Sequence, residues 1–227
     1  DDRIWEIMED SEKNLWVGTR GGGLDRFDRK ENKFYHFKSS EKNSVRSDLI
    51  FAFMEDDENN FWIGTMQGID VKEKKTGRFI HYSHNDKDQH SLSNNNVLCI
   101  KQDSRKLVWI GTREGLNLFN KKTNSFQKYR MENGLPDNII LNILEDDEHN
   151  LWISTPKGIA RIIVNYHDKS DIISLNVKNY DQLDGLQAGE FNENAAYKTS
   201  RGELIFGGAK GFNIFSPSTI STNETSP

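Results

Sequence analysis

The stretch Leu151-Trp152-Ile153-Ser154-Thr155 recurs along the chain in nearly the same form. Its copies are Leu15-Trp16-Val17-Gly18-Thr19, Phe61-Trp62-Ile63-Gly64-Thr65 and Val108-Trp109-Ile110-Gly111-Thr112, with a degenerate copy at Leu204-Ile205-Phe206-Gly207-Gly208. The Trp residues recur every 43–47 positions, which indicates repeated supersecondary units. A repeated aromatic residue in an apolar run packs between such units, so an inter-repeat core is predicted for Trp16, Trp62, Trp109, Trp152 and Phe206.

Each repeat contains four segments with the character of strands. An apolar segment ending in acidic residues comes first, and the nearly continuously apolar Trp segment follows it, as in a strand covered on both faces. A third segment begins after a Gly turn. The fourth carries two apolar residues three apart, such as Phe79 and Tyr82. Four antiparallel strands in a repeat of this length are typical of a β-propeller blade.

The predicted fold is therefore all-β, a partial β-propeller of about five four-stranded blades with the last one incomplete. The expected boundaries are residues 1–46, 47–93, 94–135 and 136–190 for blades 1 to 4, 191–215 for the incomplete blade 5, and 216–227 for a C-terminal tail leading to a further domain. Because the chain opens directly in repeat material, we expect it to be a piece of a longer protein.

Composition excludes several classes of protein. The 227 residues carry a net charge of −5, so the chain has no basic footprint for nucleic acid. No apolar stretch approaches the length of a membrane helix, so membrane attachment is expected only through a longer protein. The single Cys99 lies in an apolar run and is predicted to be a buried, inert thiol.

No metal or cofactor is predicted. The acidic turns at residues 10–14, 56–60 and 146–150 lack the alternating Asp spacing, central Gly and distant Glu of a calcium loop, so they are interpreted as solvated hairpin turns. His81 and His84 have no third ligand near them in sequence, and a zinc site needs three or four.

Propeller geometry predicts where a ligand binds. In each blade the loop between the second and third strands lies on the same face as the linker to the next blade, and ligands of propellers generally use this face. The candidate ligand-binding residues in these loops and linkers are Arg20, Arg46, Gln67, Arg113, Glu114, Lys157 and Lys210. Converging cations on an acidic chain suit an anionic saccharide or a carboxylate. The alternative is that these residues are polar only because turns are solvated.

Three further linker residues share one register but are assigned another role. Asp48, Asn95 and Asn138 are each expected to cap a linker turn with a side-chain hydrogen bond rather than to contact a ligand.

The repeat pattern resembles a known family, the two-component regulator propeller repeat. The resemblance rests on the acid-rich turn, the Leu-Trp-Ile-Gly-Thr strand, the following Gly-Leu and the Phe-x-x-Tyr strand. Gly134-Leu135-Pro136-Asp137-Asn138 is similar to the family's linker, and residues 184–192 and 207–213 resemble the entrance and the middle of the last blade of such propellers.

This resemblance implies a function. In that family the repeats form the periplasmic sensor region of hybrid two-component histidine kinases, and an immunoglobulin-like domain, a membrane helix and a kinase follow. The expected ligand is an oligosaccharide released from a complex glycan, and the propeller itself is not catalytic. This chain has fewer than the family's usual seven blades, so we expect neighbouring blades in the full-length protein. Unpaired terminal blades lead us to expect a dimer.

Two other classes of function remain open at this stage. A propeller lyase or glycosidase would need two carboxylates facing the channel, and the loop positions offer Asp48, Glu114, Asp137 and Glu190 without pairing them. A protein-interaction scaffold would use the blade edges. Incubation with oligosaccharides separates the three classes, because a sensor is stabilised without product, an enzyme releases product and a scaffold does neither.

Overall fold

The computed structural model describes residues 3–166 and 173–220, and within them almost all regular structure is β-strand. Blade 1 contains β1 (Ile4–Glu9), β2 (Leu15–Thr19), β3 (Leu24–Asp28) and β4 (Lys33–Phe37). Blade 2 contains β5 (Ile50–Glu55), β6 (Phe61–Thr65), β7 (Gly68–Lys72) and β8 (Phe79–Tyr82). Blade 3 contains β9 (Val97–Gln102), β10 (Val108–Thr112), β11 (Gly115–Asn120) and β12 (Ser125–Tyr129).

Blade 4 contains β13 (Asn142–Glu145), β14 (Leu151–Thr155), β15 (Gly158–Tyr166) and β16 (Ile173–Tyr180). Blade 5 contains β17 (Phe191–Lys198), β18 (Leu204–Gly208) and β19 (Gly211–Phe215). Short 3-10 helices lie at Met131–Asn133, Gln182–Asp184 and Pro217–Thr219. Most of the predicted C-terminal tail, residues 221–227, lies outside the described residues.

Each blade is an antiparallel sheet with its strands in chain order. Blades 1 to 4 have four strands and blade 5 has three among the described residues. The first strand of each blade contacts the first strand of the next blade, from β1 through β5, β9 and β13 to β17, so these strands surround a common axis. The described residues therefore form a β-propeller of five consecutive blades, as predicted, and three strands of the last blade lie among them.

Each repeated Trp side chain is buried between its own blade and the next. Trp16 stacks on Phe61 with ring centroids 4.4 Å apart, and Trp152 lies 5.0 Å from the ring of Phe215. All four are at most 4% exposed. In blades 1 to 3 a Gly two residues later admits the next blade, because a Cβ on Gly18 would lie 2.6 Å from Phe53 Cζ. The four Trp side chains thus lie at the contacts between successive blades.

Phe206 belongs to this core, but at a different position from the four Trp residues. It is fully buried and packs in a cluster with Trp152, on the side facing blade 4. Strand pairing shows that Phe206 corresponds to Ile153, since Phe206 pairs with Asn213 as Ile153 pairs with Ala160. The residue at the Trp position of blade 5 is Ile205, which pairs with Ile214.

The first residue of each acidic turn is bound to the protein rather than to solvent, so the interpretation of these turns as solvated is wrong for that residue. In each of the first four blades this residue is an Asp whose carboxylate accepts the indole N–H of the blade's Trp, at 2.7–2.9 Å. Asp146, 2% exposed, also accepts the backbone N–H of Asn150 at 2.9 Å. The carboxylate thus closes the hairpin and orients the ring that packs on the next blade.

Candidate functional site on the loop face

The second–third loops and the inter-blade linkers lie on one face and are joined by backbone hydrogen bonds. Gly68 N–H donates to Asn95 O at 2.7 Å, and Arg113 N–H donates to Asn96 O at 3.2 Å. Ala209 N–H donates to Glu190 O at 2.9 Å in blade 5. The predicted arrangement of this face, called the loop face below, is confirmed.

The Thr that ends each Trp strand positions the loop residues. Its hydroxyl donates to a Gly carbonyl across the loop and accepts a backbone N–H from the loop itself. In this way Thr65 holds Gln67 at 3.0 Å, Thr112 holds Glu114 at 3.0 Å and Thr155 holds Lys157 at 3.1 Å. Because these bonds fix the backbone, the three side chains project outward from short, ordered turns.

The linker turns are capped by the side chains predicted for that role. Asp48 Oδ1 accepts Ser39 N–H at 2.7 Å, Asn95 Oδ1 accepts His84 N–H at 2.7 Å, and Asn138 Oδ1 accepts Met131 N–H at 2.9 Å. Each bond closes a linker loop onto the residues just after an outer strand. These side chains are therefore part of the scaffold of the loop face.

At three of the four linkers, a polar side chain on the third strand of the following blade accepts a backbone N–H of the linker. Asp70 accepts Arg46 N–H at 2.7 Å, and Asn117 accepts Ser93 N–H at 2.8 Å. Blade 5 repeats the contact with Asn213. Blade 4 replaces both partners, since Ala160 stands at the acceptor position and Pro136, at the donor position, has no N–H. The exchange avoids an unpaired buried polar group.

Two of the predicted loop-face cations already have carboxylate partners. Arg113 Nη2 lies 2.9 Å from Glu193 Oε1, which belongs to blade 5, and Lys157 Nζ lies 3.1 Å from Asp137 Oδ2. Although partial burial opposes ionisation of Asp137, the Ile139 backbone N–H and the Lys157 ammonium keep its pKa below the usual value. Arg113 and Lys157 remain about half exposed, so each can be approached from solvent.

The other predicted residues are exposed at separate points around the loop face. The Arg20 guanidinium lies 4.2 Å from the centre of the Trp5 ring, within cation–π distance. Exposed side chains also occur at Arg46, Gln67, Glu114 and Lys210. The structure thus places all seven predicted residues in the loops and linkers of the loop face, at separate positions. A cavity of about 470 Å³ lies on this face beside Lys157 and Glu190, between blades 4 and 5.

A bulge in β17 crosses the axis of the propeller and was not predicted. Regular pairing stops between Phe191 and Ala196, and Asn194 takes a left-handed φ of 53°. The backbone of the bulge bonds to Asn142 of blade 4, while Asn194 Nδ2 donates to Phe51 O of blade 2 at 3.3 Å. Asn194 Nδ2 also lies 3.5 Å from Trp5 O of blade 1, so with the Arg113–Glu193 pair the bulge connects blade 5 to all four other blades.

Two titratable groups lie partly buried near this axis. Burial raises the pKa of Glu6 to about 7, although a backbone hydrogen bond from Phe53 opposes the shift. Burial also raises the pKa of the Cys99 thiol, and the neighbouring carboxylates of Glu6 and Glu193 act in the same direction. The Cys99 thiol is therefore protonated near neutral pH in the folded protein.

The described residues contain neither a cluster of metal ligands nor a membrane-spanning helix. No group of three or more His, Cys, Asp or Glu side chains in residues 3–166 and 173–220 is arranged to hold a metal ion. The carboxylates considered for catalysis are scattered, and Asp48 and Asp137 are occupied by turn hydrogen bonds. None of the helices in the described part of the chain has the length and apolar character of a membrane span.

Comparison with known proteins agrees with the repeat pattern. The two-component regulator propeller family matches residues 1–21, 44–67, 91–114 and 134–157, which are linkers, first strands, acidic turns and Trp strands. Histidine kinase P4 of Formosa agariphila is 33% identical over 103 residues, covering 45% of this chain and 7% of that protein.

The fold is similar to solved structures of other propellers. The extracellular domain of a B. thetaiotaomicron protein named as a hybrid two-component system has a TM-score of 0.79 at 26% identity, covering 94% of this chain and 28% of that one. Virginiamycin B lyase from Staphylococcus aureus has a TM-score of 0.67 at 10% identity, covering 95% of this chain and 70% of the lyase, and shares the fold alone. This chain spans less than a third of the length of the first two relatives. One segment in each of its first four blades matches the two-component regulator propeller family.

Proposed function

We propose that this chain is part of the extracytoplasmic, non-catalytic sensor region of a hybrid two-component signalling protein. The observation that carries the proposal is the match of four successive repeats to the two-component regulator propeller family, together with the likeness to an extracellular domain of such a system. In a bacterium with two membranes this region would face the periplasm.

The proposed ligand is an oligosaccharide bound on the loop face, and an anionic one fits the charges best. Arg113 and Lys157 project from turns that Thr hydroxyls hold in place, and both remain accessible. A guanidinium can bind a carboxylate or sulfate with two parallel hydrogen bonds. In the structure Arg113 donates one such bond, from Nη2 to Glu193 Oε1. A bound anion would replace Glu193 as the partner of Arg113.

Signalling would follow from that replacement. Glu193 lies on the β17 bulge, which connects blade 5 to the four other blades. A ligand that binds better when the Arg113–Glu193 pair is open shifts the population toward a freed bulge. The change would then pass from blade 5 toward the C-terminal end and the rest of the signalling protein.

Titration calorimetry tests the site directly. Arg113→Ala should weaken binding of a sulfated or uronic-acid oligosaccharide about tenfold, because a charged hydrogen bond typically contributes about 1.5–3 kcal/mol. Its melting temperature should stay near that of the wild type, since a half-exposed ion pair contributes little to stability. Arg105→Ala, on the opposite face, is the matched control and should leave affinity unchanged.

Two results would count against this function. Equal affinities for wild type and Arg113→Ala would show that the ligand does not contact Arg113 or that it is neutral. Release of shortened or unsaturated sugar on prolonged incubation would identify a lyase or glycosidase instead of a sensor.

A further inference from the structure

One side chain of blade 4 binds both ends of the β17 bulge. Asn142 Nδ2 donates to Asn192 O at 2.8 Å, and Asn142 Oδ1 accepts Ala195 N–H at 3.1 Å. The Asn142 side chain is buried. Two residues, Glu193 and Asn194, lie between the bonded positions. The Asn142 amide therefore closes a short backbone loop and fixes the segment that carries Glu193.

The contact is specific to an amide in one orientation. Because Asn192 O only accepts and Ala195 N–H only donates, a single orientation of the Asn142 amide satisfies both. The second proton of Nδ2 is donated to Ser154 Oγ at 2.8 Å, and Ser154 is fully buried. Both amide protons and the amide oxygen are thus in use, and a carboxylate at this position would have no proton to donate.

Blade 4 differs from the preceding blades at this position. The pairs that occupy it in blades 1 to 4 are Glu6–Gly18, Ala52–Gly64, Cys99–Gly111 and Asn142–Ser154. Each glycine admits an aliphatic side chain of the next blade, since a Cβ on Gly64, for example, would lie 2.8 Å from Val97 Cγ1. Of these four blades, only blade 4 has polar side chains on both strands. At this point it binds the next first strand by hydrogen bonds.

The bound segment carries the carboxylate that occupies Arg113. Glu193 Oε1 accepts Arg113 Nη2 at 2.9 Å, and Asn194 beside it takes a left-handed φ of 53°. The backbone on both sides of these two residues is fixed by the bonds from Asn192 and Ala195 to blade 4. The constrained path between the two anchors directs the Glu193 side chain toward Arg113.

Loss of the Asn142 amide would release this path. The Asn192 carbonyl and the Ala195 N–H would then lack partners in a partly buried site, which favours a rearrangement that gives them water. Water reaches the bulge, because Asn192 and Asn194 are exposed. A bulge that moves toward solvent takes Glu193 away from Arg113.

We propose that Asn142 is a positioning residue of the ligand site and sets the affinity of the loop face for an anion. The proposal rests on the function proposed above. While Asn142 holds the bulge, Glu193 competes with the ligand for Arg113, so binding requires a higher ligand concentration. The coupling is reciprocal, because a ligand that displaces Glu193 weakens the contact of the bulge with blade 4.

Calorimetric titration with a sulfated tetrasaccharide tests the coupling. Asn142→Ala should bind this probe about two- to fivefold more tightly than the wild type, because an exposed ion pair no longer competes. A residue that only supports the fold would weaken binding or leave it unchanged. Glu193→Ala should also tighten binding, and the Asn142→Ala, Glu193→Ala double variant should bind no more tightly than Glu193→Ala alone.

Asn150→Ala is the matched control. Asn150 is a buried asparagine of the same blade whose amide donates to Asp146 on the opposite face. Its replacement should lower stability and leave affinity for the tetrasaccharide unchanged. Ser154→Ala is the milder variant if Asn142→Ala does not fold. It removes one bond of the Asn142 amide and should tighten binding in the same direction but by less.

Amide hydrogen exchange without ligand separates this proposal from the proposed function. The Glu193 and Asn194 amides should exchange at least about fivefold faster in Asn142→Ala than in the wild type or Asn150→Ala. If no variant binds the tetrasaccharide, faster exchange supports the positioning role and counts only against the ligand class. Unchanged exchange overturns the proposal. So does unchanged or weaker binding by Asn142→Ala, or by Ser154→Ala in its place, when the wild type binds.

Discussion

Replacement of Trp62 by Ala tests whether the repeated Trp is the main inter-blade contact. The side chain is 4% exposed, lies 5.1 Å from the ring of Phe119 in blade 3, and donates its indole N–H to Asp56 at 2.9 Å. Loss of a buried Trp typically costs about 3–5 kcal/mol, since a cavity remains. We expect Trp62→Ala to lower the free energy of unfolding by that amount.

A second variant separates packing from hydrogen bonding. Trp62→Phe keeps an aromatic ring but removes the indole N–H, and Asp56 keeps its bonds from Asn60. A hydrogen bond to a charged acceptor contributes about 1.5–3 kcal/mol, so this variant should lie between wild type and Trp62→Ala. Met66→Ala, at an exposed loop site in the same blade, should change stability by less than about 0.5 kcal/mol.

Urea denaturation followed by far-UV circular dichroism measures these differences at a concentration where the chain is monomeric. Equal midpoints for Trp62→Ala and Met66→Ala would refute the assignment of the Trp to the inter-blade core. A Trp62→Phe midpoint equal to that of the wild type would leave the packing argument intact, but it would remove the stabilising role assigned to the Asp56–indole bond.

Three further predictions concern buried polar groups. Burial raises the pKa of Glu6 from 4.5 to about 7, so the folded state holds a proton that the unfolded state releases, and stability falls as pH rises through this range. Glu6→Gln should therefore gain on the order of 2–3 kcal/mol relative to wild type between pH 4 and pH 8, and a pH-independent difference would contradict this. Asn117→Ala leaves the Ser93 N–H without its acceptor and should cost about 1–3 kcal/mol in urea denaturation; an unchanged midpoint would show that water replaces the bond. Cys99 should react with a thiol reagent much more slowly than a free thiol at neutral pH, because its raised pKa leaves little thiolate, and reaction at the rate of a free thiol would contradict this.

The propeller could be predicted from the sequence because the Trp strand and its spacing repeat with few changes. Packing between blades uses a Trp in each of the first four repeats and a glycine two residues later in the first three, so the pattern is visible in the sequence. The degenerate copy shows the limit of this argument. Phe206 was matched to the Trp positions by its aromatic character, yet strand pairing places Ile205 there.

The role of the acidic turns was readable from the sequence but was interpreted wrongly. Asp10, Asp56, Asp103 and Asp146 each stand six residues before a Trp. A hydrophilic turn is usually solvated, and this general expectation outweighed the fixed spacing. The indole N–H of a buried Trp needs an acceptor, so a carboxylate at a constant distance from each Trp is the signal that could have identified the contact.

The central part of the candidate site could not be predicted by similar reasoning. Arg113 and Glu193 are eighty residues apart, and their contact depends on the β17 bulge at Asn192–Ala195, which is longer than the one-residue irregularities in β1, β5 and β9. A repeat identifies what the blades have in common. The feature that distinguishes blade 5, and brings a carboxylate across the axis to a loop-face cation, is invisible to an argument based on periodicity.

The same distinction explains how the blades keep their order. Trp packing is alike at the four junctions and would accept any two blades as neighbours. The side-chain pairs between an acidic turn and the end of the next blade's first strand would not. Asp57 of blade 2 faces Gln102, and in place of that amide a Glu such as Glu145 would set two carboxylates against each other. Likewise, Asp70 and Asn117 each accept a linker N–H in their blades. Blade 4 has Ala160 at this acceptor position, which is tolerated because Pro136, at the donor position, has no N–H. Shared residues thus supply most of the stability of the propeller, and the residues that differ between repeats specify which blade follows which.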